Sequence, residues 1–234
     1  MNPVLDMLYP RTCLRCGRST PKAFRYICWE CWADSPRLEP PFCQICGDPV
    51  SGAIEHEYTC YACAAERPAF KFARSTTRYE GVVGEAVRDL KYNRAMWLAP
   101  DLASLLHRCV LAEYPETSFD WIVPVPLFRV RRRARGYNQS ALLARALARQ
   151  MSGRMRGDLL RRIRPTTTQT NLTASERLAN VVGAFEYRKP KALEGRCILL
   201  VDDVMTTGAT VNVCSKELMK GGAQSVYVVT VARR

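Results

Sequence analysis

No apolar run in this chain of 234 residues approaches the roughly 20 residues that a membrane span needs, so no bilayer insertion is expected. The opening segment, MNPVLDMLYPRTC, lacks a basic n-region and a long apolar h-region, which predicts no export signal and a cytoplasmic chain. Gly-Lys-Ser/Thr is also missing, so a phosphate loop of the ATPase kind is excluded. Beyond residue 70 there is no internal repeat, and no low-complexity tract other than an arginine run. The length suits one medium domain with a small appendage.

Acidic residues are scarce in one place above all. The chain carries a net charge of +13, yet residues 1–70 hold seven bases against eight acids. Residues 129–164 hold twelve arginines and a single acid, Asp158, a local charge of +11. Nearly the whole excess therefore sits in one stretch, which implies polyanionic partners rather than general solubility.

Cysteine is plentiful and concentrated. Eight of the eleven cysteines form four Cys-x-x-Cys pairs: Cys13/Cys16, Cys28/Cys31, Cys43/Cys46 and Cys60/Cys63. Each pair can bite a metal from a tight knuckle, and two knuckles complete a tetrahedral thiolate site for Zn²⁺. The simplest assembly joins the first pair to the second and the third to the fourth. The spacing also allows a cross-braced assembly, first with third and second with fourth. Disulfides are disfavoured without an export signal, and no βαβ pattern surrounds the pairs to support a redox role. Two four-cysteine sites leave no position open for water, so both are read as structural. His56 reads as a surface loop residue, and Cys109, Cys197 and Cys214 as small core residues. Metal ligation is expected to stabilise a segment with so little apolar content.

The segment AAERPAF (64–70) reads as a join, giving a double zinc ribbon over 1–68 and a second unit over 69–234. In the second unit, strands are expected at 71–79, 121–127, 198–201 and 225–231, and helices at 82–91, 98–112 and 138–151. This alternation predicts an α/β fold with an open, mostly parallel sheet, whose ligands sit at the carboxyl ends of the strands.

Three stretches of that unit carry chemistry. The first, CILLVDDVMTTGATV (197–211), ends an apolar run in Asp202 and Asp203 and continues through Thr206, Thr207, Gly208, Ala209 and Thr210 into a helical pattern. Free backbone N–H groups and hydroxyls at a helix N-terminus bind anions, and neighbouring carboxylates accept from ribose hydroxyls. In the second, VPVPLFRVRRRARGYNQS (123–140), Pro124 and Pro126 interrupt the strand. Gly136 then permits an irregular turn, and Asn138 caps the next helix. Arginines there can hold a diphosphate through bidentate, charge-assisted bonds. The third, residues 166–185, is polar and reads as a mobile lid.

The 197–211 stretch resembles the 5-phosphoribosyl 1-pyrophosphate (PRPP) motif of type I phosphoribosyltransferases. With the four Cys-x-x-Cys pairs, the LKY at 90–92, and PVPL followed by arginines and RGYNQ, the whole chain resembles the ComF family of competence-associated proteins. The resemblance implies that Asp202 and Asp203 serve ribose and metal-water contacts and that Thr206 to Thr210 hold the 5′-phosphate. It implies a pyrophosphate loop formed by Arg129, Arg133, Arg135, Gly136, Asn138 and Gln139. It also points to Gln169, Arg177 and Asn180 in the lid, with Arg177 contacting phosphate, and to Mg²⁺ bound together with PRPP.

Competence also implies single-stranded DNA, for which Arg131, Arg132, Arg145, Arg149, Arg154 and Arg156 are the candidates, although only Phe128 and Tyr137 are available there for base stacking. Protein partners in the uptake machinery, such as a DNA-uptake helicase, are implied as well. Three functions follow as expectations: a PRPP-binding protein of DNA uptake, a phosphoribosyltransferase with an unassigned acceptor, or a sensor of PRPP without turnover. No stretch stands out as a hood for a nucleobase acceptor, and the ribbon together with residues 71–95 is expected to cover that position.

Overall fold

The structure is a computed structural model that describes residues 11–20, 25–50, 52, 54, 56–165, 174–188 and 193–234. Two short helices, α1 (Trp29–Ala33) and α2 (Tyr61–Ala65), lie in the cysteine-rich part. The second unit runs β1 (Phe72–Arg78), α3 (Gly81–Tyr92), α4 (Ala99–Glu113), β2 (Trp121–Pro124), α5 (Arg129–Arg135) and α6 (Gln139–Gln150). It continues through β3 (Leu160–Arg162), α7 (Ala174–Val181), β4 (Phe185–Tyr187), β5 (Cys197–Met205), α8 (Ala209–Lys220) and β6 (Ser225–Arg233).

Strands β1, β6, β5 and β2 form a parallel sheet in that spatial order, and β3 and β4 form a separate antiparallel pair. The expected open parallel sheet is therefore observed. β5 is buried on both faces because its residues alternate between two cores. Leu199 and Val201 pack with Leu143 and Leu147 of α6, whereas Ile198 and Leu200 pack with Val211 and Leu218 of α8. Each such fully buried aliphatic side chain stabilises the fold by about 1.5–3 kcal/mol.

Helices leaving adjacent strands thus go to opposite faces: α6 follows β2 onto one side, and α8 follows β5 onto the other. Between β2 and β5 the connections part, and a crevice opens at the carboxyl ends of the strands.

The strands depart from expectation at their ends. β2 stops at Pro124 rather than 127, because Pro126 cannot continue a ladder; only Val125 N–H still reaches Val201 O, at 2.9 Å. β5 extends to Met205, so the two acids lie inside the strand rather than beyond it. Asp202 is paired in register with Thr230, and β6 supplies partners as far as Met205. The arginine stretch expected as a loop contains the helix α5, and Gly136, at φ +89°, ends it in the left-handed conformation. Residues 166–173 of the expected lid lie outside the described residues, and residues 174–181 form α7.

Both sheet edges are covered. Ala73 N–H donates to Ile45 O at 2.8 Å and Arg78 N–H to Pro36 O at 2.9 Å, so the cysteine-rich part lines the β1 edge. At the other edge, Ile122 exchanges bonds of 2.9 Å with Arg154 and Arg156. These contacts remove the open edges that would otherwise pair with another chain.

The cysteine-rich part is a structural duplication. Cys13 and Cys43 each accept from a glycine N–H four residues on, Gly17 at 2.9 Å and Gly47 at 2.7 Å. Leu14 N–H and Gln44 N–H each reach a tyrosine carbonyl, Tyr26 and Tyr58, at 2.8 Å. Cys13, Cys31 and Ile27 join the core on the α3–α4 side, and Cys43, Cys63 and Ile45 join the core on the α8 side. Cys214 is buried, and burial pushes the thiol of the partly buried Cys109 up to about 12, in keeping with inert packing roles.

Candidate functional site

The cysteines resolve first. Cys13, Cys16, Cys28 and Cys31 form one cluster and Cys43, Cys46, Cys60 and Cys63 another, with ligand atoms in each within 4.8 Å of one another. Cys16 Sγ lies 3.6 Å from Cys28 Sγ, and Cys46 Sγ 3.7 Å from Cys60 Sγ. An edge of a tetrahedral zinc–thiolate site is about 3.8 Å, so the clusters fit Zn²⁺. The pairing is first with second and third with fourth; the cross-braced alternative is excluded. Backbone N–H groups of Cys28 and Cys60 point at Cys13 Sγ and Cys43 Sγ at 3.4 and 3.3 Å, which favours thiolate at both knuckles. His56 is exposed and stands outside both clusters.

The second site lies in the crevice between β2 and β5. A cleft of about 180 Å³ is lined by Lys91 and Tyr92 of α3, Val125 to Leu127 after β2, Arg131 and Arg135 of α5, Asn138 to Ser140 at the start of α6, Arg162, Asp202 to Val204, and Thr210. Asp202 and Asp203 are both buried. Ser140 Oγ donates to Asp202 Oδ1 at 2.8 Å, and the Asp203 N–H reaches the same oxygen at 2.9 Å. Lys91 Nζ pairs with Asp203 Oδ1 at 3.0 Å, while Asp203 Oδ2 is buried with no hydrogen-bond partner among the described residues.

Two effects act on these charges. Burial, reinforced by the Asp203 charge, pushes the Asp202 carboxyl up to about 7. Burial opposes the Lys91 ammonium, but the Asp203 and Asp202 carboxylates outweigh it and raise its pKa.

Asn138 caps α6 as expected, accepting from Ser140 N–H at 3.2 Å, and its Nδ2 donates to Val125 O at 2.9 Å. Arg135 Nη1 donates to Gln139 Oε1, and Tyr137 Oη donates to Leu90 O. The arginine segment is thereby fastened both to α6 and to α3.

The turn after β5 is shaped by Gly208, which caps α8 at φ +78°. That left-handed conformation is what favours glycine, since a Cβ would meet only the flexible end of Met205. Thr210 faces the cleft, whereas Thr206, Thr207, Gly208 and Ala209 line a second cleft of about 660 Å³. That cleft lies between the turn and the second ribbon, with Cys46, Cys60, Cys63, Phe70 and Arg233 on its far wall.

The arginines divide between two places. Arg131 and Arg135 enter the cleft of the acidic pair. Arg129, Arg132 and Arg145 line a groove of about 530 Å³ on the other side of α5, with Arg161, Arg162 and Arg188. Arg133 and Arg149 line neither, and Arg154 lies at the β2 edge. Arg156 pairs with Asp158 at 3.0 Å and stacks over Trp121 at 4.7 Å. Gln169 lies outside the described residues; Arg177 is in α7, with a side chain outside them, and Asn180 is on the same helix.

Sequence reading missed Ser140 and gave no role to Lys91. The signal for Ser140 was its place two residues after the Asn138 cap, where a first-turn side chain faces the crevice. That for Lys91 was a cation between Leu90 and Tyr92 at the end of an amphipathic helix.

A paired zinc ribbon set on a parallel sheet with an acidic pair and a threonine-rich turn at its switch point defines a phosphoribosyltransferase-type protein with a double zinc ribbon. Comparison with known families agrees: residues 4–64 match the double zinc ribbon domain and residues 137–234 the phosphoribosyl transferase domain. The chain is 30% identical to "Competence protein F" of Haemophilus influenzae, over 94% of this chain and 96% of that protein. It is 31% identical to "DNA utilization protein YhgH" of Escherichia coli K12 (96% and 97%), and 28% identical to "Competence protein ComFC" of Bacillus subtilis (88% and 84%). The chain belongs to the ComF family of competence and DNA-utilization proteins. Among the described residues no helix is long and apolar enough to cross a membrane.

Proposed function

We propose that this chain acts in the cytoplasm in DNA uptake or utilisation, and that its α/β unit (69–234), carrying the ribbon (1–68), binds PRPP with Mg²⁺. The observation that carries this reading is a crevice that brings the acidic pair, Thr210 and two arginines together. Asp202 and Asp203 lie near the end of β5, Thr210 is in the first turn of α8, and α5 projects Arg131 and Arg135 from the β2 side, while Thr206 to Ala209 border the neighbouring cleft. The acids suit ribose hydroxyls, the turn suits the 5′-phosphate, and the guanidinium groups suit the diphosphate. Mg²⁺ supplies charge neutralisation to that diphosphate. The oxygen donors of the pair fit such an ion through its water shell, and Asp203 Oδ2 has no competing partner. In this reading the helix bearing Arg177 and Asn180 closes over the phosphates.

The groove beyond α5 supports a second ligand. Six arginines along it suit a phosphodiester backbone, and of these only Arg162 also lines the crevice. Single-stranded DNA there would lie beside, not in, the ribose site. Partners of the uptake machinery, such as a helicase, would then meet the protein on DNA.

Calorimetric titration with PRPP and Mg²⁺ tests the binding. Asp202→Asn/Asp203→Asn should weaken it at least tenfold, and unchanged affinity in that variant would rule the crevice out.

A further inference from the structure

The crevice holds more positive than negative charge before any ligand enters. Lys91, Arg131, Arg135 and Arg162 line it against Asp202 and Asp203. Lys91 pairs directly with the acids. Its ammonium is 3.0 Å from Asp203 Oδ1, with side-chain exposures of 18% and 5%. It is also held there from both sides along the chain. The carbonyl of Leu90 accepts from Tyr137 Oη, and the ring of Tyr92 carries the Arg135 guanidinium 5.5 Å from its centroid. Asp202 is fixed separately, by Ser140 Oγ at 2.8 Å.

A divalent ion arriving alone at this acidic pair would sit beside a half-buried ammonium while facing three guanidinium groups. Coulomb repulsion at low dielectric makes that unfavourable. The acids meanwhile already have the counter-charge that a buried carboxylate pair requires.

We propose that the Lys91 ammonium is the resident cation of the ribose subsite. It pairs with Asp203 and orients it, so that a 5-phosphorylated pentose binds without a divalent ion, and Mg²⁺ enters only as the companion of a diphosphate. This deepens the phosphoribosyl reading of the crevice and rests on it. Lys91 acts as a positioning residue through Asp203.

The test is calorimetric titration of the full, zinc-loaded chain with ribose 5-phosphate, with Mg²⁺ omitted or present at saturating concentration. Mg²⁺ is omitted rather than chelated, because a chelator would strip the ribbons. Wild-type affinity should change by less than about threefold between the two conditions. Lys91→Met should weaken binding at least tenfold without Mg²⁺ and regain part of it when Mg²⁺ is added, whereas Lys91→Arg should stay near wild type. Lys91→Met/Asp203→Asn removes both charges and so shows whether the single variant fails only by leaving a buried carboxylate unpaired; the double variant should lose the Mg²⁺ response. A wild-type affinity that rises tenfold or more with Mg²⁺, or a Lys91→Met that binds as wild type, overturns the role of Lys91 and leaves the phosphoribosyl reading intact. Absence of wild-type binding to both ribose 5-phosphate and Mg²⁺–PRPP overturns both.

Discussion

Arg233, at the end of β6, holds Cys46 of the second ribbon. Its Nη1 donates to the Cys46 carbonyl at 2.8 Å, its Nη2 lies 3.9 Å from Cys46 Sγ, and its Nε donates to Asp48 Oδ1 at 2.8 Å. A cation beside a metal-binding sulfur favours the thiolate, and these bonds fix the knuckle that presents it. Replacing Arg233 by Met should weaken zinc in the second ribbon about tenfold and leave the first unchanged. Chelator competition followed by a zinc-sensitive dye should then show the second ribbon's zinc released well ahead of the first's, a separation larger than in the wild type. Equal release from both ribbons in the variant would count against this.

The first ribbon is docked differently. Asp101 of α4 accepts from the backbone N–H groups of Tyr26, Ile27 and Arg25 at 2.6, 3.2 and 3.3 Å. Asp101→Ala leaves these donors without their acceptor and should destabilise the protein by about 2–4 kcal/mol in denaturant unfolding. Asp101→Asn keeps one oxygen acceptor and should lose less. Equal losses in the two variants would show that the carboxylate charge matters more than its hydrogen bonds.

Asp202 makes a pH-dependent contribution of unusual sign. Its folded pKa is raised to about 7, above that of an ordinary carboxylate, so between those values the folded state binds more protons than the unfolded state. Its contribution to stability is therefore fully present at low pH and is lost as pH rises toward and through about 7. Zinc–thiolate binding runs in the opposite direction, so the informative quantity is a difference. Relative to wild type, Asp202→Asn should gain on the order of 1 kcal/mol between pH about 6 and about 8. A difference that stays flat across that range would remove Asp202 from the titration.

The two arginine sets should separate by ligand. Arg132→Ala/Arg145→Ala changes the groove beyond α5 and should lower the slope of log affinity for single-stranded DNA against log salt by about 1. PRPP affinity should hardly move. Arg131→Ala/Arg135→Ala changes the crevice and should weaken PRPP at least tenfold with a smaller effect on the DNA slope. If both double variants affect both ligands alike, the groove and the crevice form one site.

Much of the architecture was legible because its signals are local. Apolar runs marked β6 and the start of β5, and amphipathic spacing marked α3, α4 and α6, each within a residue or two of the observed bounds. Asn138 was readable as a cap because a side-chain acceptor at that position serves its own helix. The strand ends were not. Asp202 and Asp203 look like residues beyond a strand, but β6 supplies ladder partners through them and keeps both in β5. β3 and β4 were invisible because three residues each, held by one another and by the α8 side, carry no periodicity.

The inventory could be read without the fold: four cysteine knuckles, an acidic pair before a threonine-rich turn, and an excess of arginine in one segment. Cysteine spacing, turn composition and charge are properties of short stretches, so they survive without knowledge of the fold. How these parts are shared out depends on contacts between distant segments. Which knuckles join depends on contacts across the ribbon. Which arginines face the crevice and which the groove depends on the turn of α5. That Lys91 answers Asp203 depends on α3 crossing the end of β5, more than a hundred residues away in the chain.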